Sequence, residues 1–311
     1  MSDDESVMII EDEEVVQPLP IISQKYRLIR ELNRGAYGVV YLGIDITLNP
    51  PREIAVKAFD KNIQEFHSSA ELEHHTLGVF NGHQGIVKLL DKVETPSLYC
   101  IVLERELIDL RKLAEQTKRN ALTNRVILKV GYDVLNSLDY IHSKEYVHRD
   151  IKPANIMISS NLTANFQVKI IDLGLMFSLR GVTDFDREDL FFSNCHYSSG
   201  RMTSGRAAIP HDDAVMWYYS LLRLSGPMPF DQSSIASSLR DRLAFETDFN
   251  RFKINPCLLP VAEALMRRVG IYPDYQALRT ALDTTVPDYR PSDSKTRLQV
   301  HVSADGSVQV E

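Results

Sequence analysis

His148-Arg149-Asp150-Ile151-Lys152-Pro153-Ala154-Asn155 sets a carboxylate, an amine and a carboxamide in one short stretch, in an order that suits one chemistry. Moving a phosphoryl group onto a hydroxyl needs a carboxylate to orient the hydroxyl and accept its proton, a cation near the γ-phosphate, and an oxygen ligand for magnesium. Asp150, Lys152 and Asn155 can supply these in turn. The stretch follows directly on residues 126–142, where Ile127, Val130, Val134, Leu138 and Ile141 form a single apolar stripe. That spacing predicts an amphipathic helix, which delivers the loop from a buried support. Downstream, Ile170-Ile171-Asp172-Leu173-Gly174 puts a second carboxylate just past an apolar strand, where it would bridge a metal to β- and γ-phosphates.

Upstream, Asn33-Arg34-Gly35-Ala36-Tyr37-Gly38-Val39-Val40 falls between two predicted strands. Glycine at such a turn admits the close approach of phosphate oxygens to backbone N–H groups, where a Cβ would obstruct. No Gly-Lys-Ser/Thr follows, so this is not a Walker loop. Ala55-Val56-Lys57 ends an apolar strand, and Lys57 is the candidate contact for the α- and β-phosphates, held by a glutamate on a helix. Two glutamates compete for that role, and positions two apart do not share a helix face. Glu73 lies on the stripe of Phe66, Ala70, Leu77 and Phe80, whereas Glu71 lies with His67, His74 and His75 on the polar side. Glu73 is therefore the expected partner of Lys57.

Working outward, residues 1–24 read as a disordered acidic leader ending in Pro18-Leu19-Pro20. Short β-rich runs follow at Tyr26–Glu31, Gly38–Ile44, Glu53–Phe59, Val87–Val93 and Leu98–Leu103, with one helical pattern over Ile63–Phe80. After Leu107 the pattern is mainly helical. The expected fold class is α+β, a small β-rich lobe at 25–103 and a larger helical lobe at 107–286, joined by a hinge at 104–106. Residues 287–311 form a tail, with two alternating runs around Asp305-Gly306 that suit either a β-hairpin or a frayed end.

Seven of the 42 acidic residues lie in the first twenty positions with no basic residue among them, and the rest of the chain balances its 35 Lys and Arg. A neutral body with an acidic tail argues against a nucleic-acid-binding face. Three scattered cysteines (Cys100, Cys195, Cys257) suggest neither a disulfide framework nor a zinc cluster. No apolar run reaches membrane-spanning length, and the acidic N-terminus is unlike a signal peptide, so no membrane partner is expected. A reducing compartment, cytosol or nucleus, is the expected location, which leaves the sequon Asn161-Leu162-Thr163 unglycosylated. His74-His75 reads as a solvated helix face, Cys195-His196 as lacking the orienting acid of a nucleophile pair, and Trp217-Tyr218-Tyr219 as core.

With these residues in order, the chain resembles protein kinases, and within them the casein kinase 1 superfamily, nearest its tau-tubulin kinase branch. The likeness runs from about Lys25 to Leu282 and includes Tyr140-Ile141-His142-Ser143-Lys144, His211-Asp212-Asp213 and Pro273-Asp274-Tyr275. It implies a Ser/Thr-directed enzyme using ATP and Mg2+ on protein substrates. Asp150 and Lys152 would be catalytic, and Asn155 and Asp172 would bind metal. Asn33, Gly35, Gly38, Val40, Ala55, Lys57 and Glu73 would line the nucleotide site, with Leu103 as gatekeeper and the base lying against Glu104–Glu106. Departures cluster in one segment, Ser193-Asn194-Cys195-His196-Tyr197-Ser198-Ser199, where the family has Gly-Thr-x-Arg-Tyr-x-Ser, and Asn33 replaces a first glycine. They motivate the alternative of a weakly active or silent pseudokinase serving as a scaffold. Val7-Met8-Ile9-Ile10 with Glu11-Asp12-Glu13-Glu14 resembles a SUMO-interaction motif, in which a strand is added to the partner's sheet edge.

Overall fold

Alternation along Arg52–Asp60 divides the N-terminal lobe into two apolar layers. Ile54, Val56 and Ala58 point to one face and pack with Ile22, Tyr26, Leu28, Cys100 and Val102. Phe59 points to the other and joins Ala70, Leu77 and Phe80 beneath the lobe's helix. The computed structural model describes residues 21–182, 196–230, 234–267 and 270–311. The leader as far as Pro20, including residues 7–14, and Ser193-Asn194-Cys195 of the divergent segment lie outside them.

The first lobe comprises β1 (Ile21–Ile22), β2 (Tyr26–Arg34), β3 (Val39–Asp45), β4 (Arg52–Asp60), α1 (Gln64–Phe80), β5 (Leu89–Glu94) and β6 (Leu98–Glu104). Its strands form one antiparallel sheet in the order β1-β2-β3-β4-β6-β5. Strand β2 runs further than the sequence suggests. Asn33 and Arg34 belong to it, paired with Val40 and Val39, so only Gly35 to Gly38 make the turn. The Arg34 guanidinium bonding to Glu31 favours the longer strand.

The second lobe begins with β7 (Ile108–Asp109), α2 (Leu110–Glu115) and α3 (Asn124–Ser143), and continues through β8 (Tyr146–Val147), β9 (Ile156–Ile158), β10 (Val168–Ile170) and β11 (Phe177–Ser178). Helices α4 (Gly200–Thr203), α5 (Pro210–Ser225), α6 (Ile235–Thr247), α7 (Leu259–Met266) and α8 (Tyr275–Thr284) follow. Thr123 caps α3 through its hydroxyl, and the helix buries the stripe from Val126 to Ile141 against α5. Trp217, Tyr218 and Tyr219 of α5 are fully buried, and the Trp217 indole donates to the carbonyl of Gly131 at 3.0 Å. These aromatics are core.

Two long-range stitches tie separate parts of the chain to the second lobe. The carbonyl of Gly85, in the loop after α1, accepts from Ile170 N at 2.9 Å and from the Ser137 hydroxyl at 3.3 Å. A Cβ at Gly85 would collide with that hydroxyl, so the approach requires glycine. At the other end of the chain, β12 (Val300–Val302) pairs with β13 (Val308–Val310) in a hairpin. The Gln167 carboxamide bonds both N–H and C=O of Leu298, and the Arg297 guanidinium reaches the carbonyls of Leu162 and Ala164. Among the described residues, no helix is long and apolar enough to cross a membrane.

Candidate active site

Sheet register carries several sequence-predicted residues to one face. Val40 stands opposite Lys57, Leu103 opposite Ala55, and Ile101 opposite Lys57, so Val40, Ala55, Lys57 and Leu103 share the side that looks toward the second lobe. Gly35 and Gly38 close the turn above them with a 2.9 Å backbone bond. Gly38 has a further reason to be glycine, since a Cβ there would sit 2.6 Å from the Ala58 carbonyl oxygen.

Glu73 faces inward on α1 and is 2 % exposed. Its carboxylate accepts from the Lys57 ammonium at 2.9 and 2.7 Å. Glu71 points away and lies 3.9 Å from His67. The polar side of α1 is less solvated than the sequence suggests, because the His67 and His74 rings meet Tyr99 edge-on. Lys57 also donates to Asp172 Oδ1 at 2.8 Å. Burial disfavours the ammonium, but the two carboxylates outweigh it and hold its pKa above the ordinary lysine value. Burial raises Glu73 to about 7, against the pull of Lys57. In Asp172 the Lys57 charge overcomes burial and keeps the carboxyl below its usual range.

The loop carrying Asp150 is held from beneath by α5. Asp213 Oδ2 accepts from His148 N at 2.6 Å and Asp213 Oδ1 accepts from Arg149 N at 2.8 Å. The same carboxylate meets His142 Nε2 at 2.9 Å, and His142 Nδ1 is bonded to the Tyr275 hydroxyl. Burial pushes the Asp213 carboxyl up, yet these donors and the charges of His142 and His148 leave it below the usual range. Asp213 is a supporting residue that the motif alone did not reveal. Its signal in the sequence was the acidic pair opening α5. Arg149 and Asp172 both have positive φ, 70° and 61°, a conformation that L-residues adopt only when neighbours impose it.

Asp150 is 3 % exposed and receives bonds from Lys152 Nζ at 2.7 Å and Asn155 Nδ2 at 2.8 Å. Asn155 Nδ2 also donates to the Asp150 carbonyl at 2.9 Å, which turns its Oδ1 the other way. Asp172 keeps 38 % of its side-chain surface open. A carboxylate and a carboxamide oxygen from adjoining segments are the oxygen donors a magnesium ion prefers, so the residues present fit that ion. Ile171 N donates to Asn155 O at 2.9 Å and keeps the two segments side by side.

At the lobe junction Glu104 and Glu106, against which the sequence reading places the base, flank Arg105. Both carboxylates turn to Lys169, whose Nζ lies 2.6 Å from Glu104 Oε2 and 2.8 Å from Glu106 Oε1. Both carboxylates are thus engaged by a single buried cation.

A family model described as the protein kinase domain matches residues 26–222. Among curated proteins, a probable serine/threonine-protein kinase of Lactococcus lactis is 29 % identical over 231 residues, covering 73 % of this chain and 36 % of its own length. A serine/threonine-protein kinase of Bacillus subtilis is 28 % identical over 267 residues, covering 84 % of this chain and 40 % of its own. The chain thus spans well under half of these two relatives. A mitogen-activated protein kinase of Saccharomyces cerevisiae is 24 % identical over 298 residues, with 79 % of this chain and 78 % of its own covered. The solved structure of vaccinia related kinase 3 superposes with a TM-score of 0.67 at 18 % identity, covering 86 % of this chain and 90 % of that one, which is a likeness of fold. With a family match over most of the chain and the same bilobal architecture, the protein belongs to the protein kinase family.

Proposed function

We propose that the protein is a serine/threonine kinase that transfers the γ-phosphoryl group of Mg-ATP to hydroxyls of protein substrates. The observation that carries this is Lys57, which bonds Glu73 and Asp172 at once while Asp150 lies beside Lys152 and Asn155. In this reading Gly35 to Gly38 cover the phosphates, Lys57 holds the α- and β-phosphates, and the base lies beneath Val40 and Ala55 against the backbone of residues 104–106, beside Leu103. Magnesium, when bound, neutralises charge on the phosphates, and Asn155 and Asp172 would hold it. Asp150 orients the acceptor hydroxyl and takes its proton as the new P–O bond forms and the bond to the ADP oxygen breaks. Lys152 offsets negative charge on the moving group.

The test is phosphate transfer from labelled ATP to a general protein substrate, beside Asp150→Asn. That variant should keep ATP binding and lose about two to four orders of magnitude in turnover. Equal turnover in both proteins would favour the second reading, a scaffold without catalysis. One observation motivates it: Asn33, in place of a first glycine, is tied into β2 opposite Val40.

The tau-tubulin kinase branch of the casein kinase 1 superfamily is the proposed kinship, on Tyr140 to Lys144 and His211 to Asp213. The proposed location is the cytosol or nucleus. The acidic leader is proposed as a strand that docks a SUMO-like modifier through residues 7–14. An NMR titration of a peptide covering residues 1–20 would show no shifts if that docking is absent.

A further inference from the structure

Lys169 occupies the middle of β10, three positions before Asp172, and its side chain is only 7 % exposed. Its ammonium stands between Glu104 and Glu106, the residues on either side of Arg105 at the lobe junction. Glu106 is almost wholly buried, and its other oxygen accepts from Ser160 N at 2.7 Å. Two carboxylates this close repel each other, and a buried one is strongly disfavoured without a partner. Lys169 resolves both problems from a single point. Burial lowers its own pKa, but the two carboxylates reverse that and keep it charged.

The position of the cluster matters as much as its charge. Lys169 and Glu104 line a cavity of about 400 Å³ with Gly82, His83, Lys88 and Asn165, and Lys57, Asp150 and Asp172 are not among its lining residues. Lys169 is not among the residues read as lining the nucleotide site, and its ammonium is taken up by Glu104 and Glu106. Any influence must pass through residues 104–106, or along β10 to Asp172.

We propose that Lys169 is a positioning residue for the nucleotide. It clamps the junction backbone from behind, so that the groups meeting the base keep a single geometry, and ties that backbone to the strand leading to Asp172. The inference rests on the kinase reading and adds to it a residue outside the cleft. Once Lys169 is lost, Glu106 must leave its site at Ser160 and the backbone it belongs to shifts with it.

The experiment is direct titration of ATP into the full chain, followed by calorimetry, with thermal melting of each variant and, where transfer is measurable, KM and kcat. Lys169→Met should weaken ATP binding and raise KM by roughly tenfold or more, with kcat within about threefold. Lys169→Arg should retain most of the affinity. Lys169→Met combined with Glu106→Gln should recover it, because the neutral amide can stay bonded to Ser160 without a counter-charge. Wild-type affinity in Lys169→Met would overturn the proposal. So would a loss that tracks the melting temperature and is not recovered in the double variant. A chain that binds ATP without transferring phosphate would sink catalysis but leave the clamp standing. A wild-type chain with no affinity for ATP would sink both.

Discussion

Asp172 Oδ1 lies 2.8 Å from the ammonium of Lys57, although 115 positions separate them in the chain. The contact spans the cleft, joining β4 of one lobe to the segment after β10 of the other. Glu73 of α1 bonds the same ammonium at 2.7 Å, so Lys57 is shared by two carboxylates from different elements. Lys57→Met should therefore do two things at once. It should lower turnover by about a hundredfold or more, and destabilise the fold by about 3–5 kcal/mol by leaving Glu73 buried without its cation. Urea unfolding beside a transfer assay separates the effects, since Asp150→Asn should lower turnover alone.

Asp172→Asn tests the metal assignment. The amide keeps the size of the group but loses the charge that pairs with Lys57 and suits a divalent cation. ATP affinity in the presence of magnesium should fall, while affinity measured without magnesium should change little. Equal loss under both conditions would point to distortion of the strand end instead.

Asp213 predicts a pH dependence. Its folded-state pKa lies below the ordinary value of 3.8, so its contribution to stability is complete above that value and is lost as pH falls through the lower, folded one. Asp213→Asn should cost about 2–4 kcal/mol at neutral pH. The gap between wild type and variant should narrow as the solution is acidified below the ordinary carboxylate range. Denaturant unfolding across acidic pH would reveal a constant gap if the carboxylate is not the support proposed.

Substitution at Gly38 should act through a backbone collision. The added methyl of Gly38→Ala meets the Ala58 carbonyl at 2.6 Å, which forces β3 and β4 apart and costs about 1–3 kcal/mol. KM for ATP should rise as the turn moves. Gly35→Ala meets only the Gly38 carbonyl at 3.6 Å and should be far milder.

Selection for phosphate-primed substrates should be weak. Met176 and Phe177, just past Asp172, are apolar, and Arg201 already bonds Asp212 at 3.0 Å and the Ala207 carbonyl. Strong enrichment for phosphoserine near the acceptor on a peptide array would contradict this.

Much of the cleft was legible because its chemistry is local. Asp150, Lys152 and Asn155 are near neighbours in sequence, and helix periodicity alone separated Glu73 from Glu71. The extent of β2 was not legible, because pairing of Asn33 with Val40 depends on a turn narrower than the glycine pattern implies. Nor was the cluster of Lys169, Glu104 and Glu106, since 65 residues divide Lys169 from Glu104 and nothing in their periodicity links them. Tyr99 is a similar case. Its contact with His67 and His74 arises from sheet packing under α1, which a helical wheel does not contain.

The missing side chain of Gly85 has a mechanical consequence. Because its carbonyl is bonded to both Ser137 and Ile170, the far end of α1 is pinned to the second lobe although the helix belongs to the first. The helix that carries Glu73 is thus fastened to the second lobe a few residues beyond its Phe80 end. At its other end Ile63 N donates to Asp60 O and the Phe66 ring meets Tyr37 edge-on, so α1 bridges the N-terminal sheet and the second lobe, and Glu73 is carried between the two attachments.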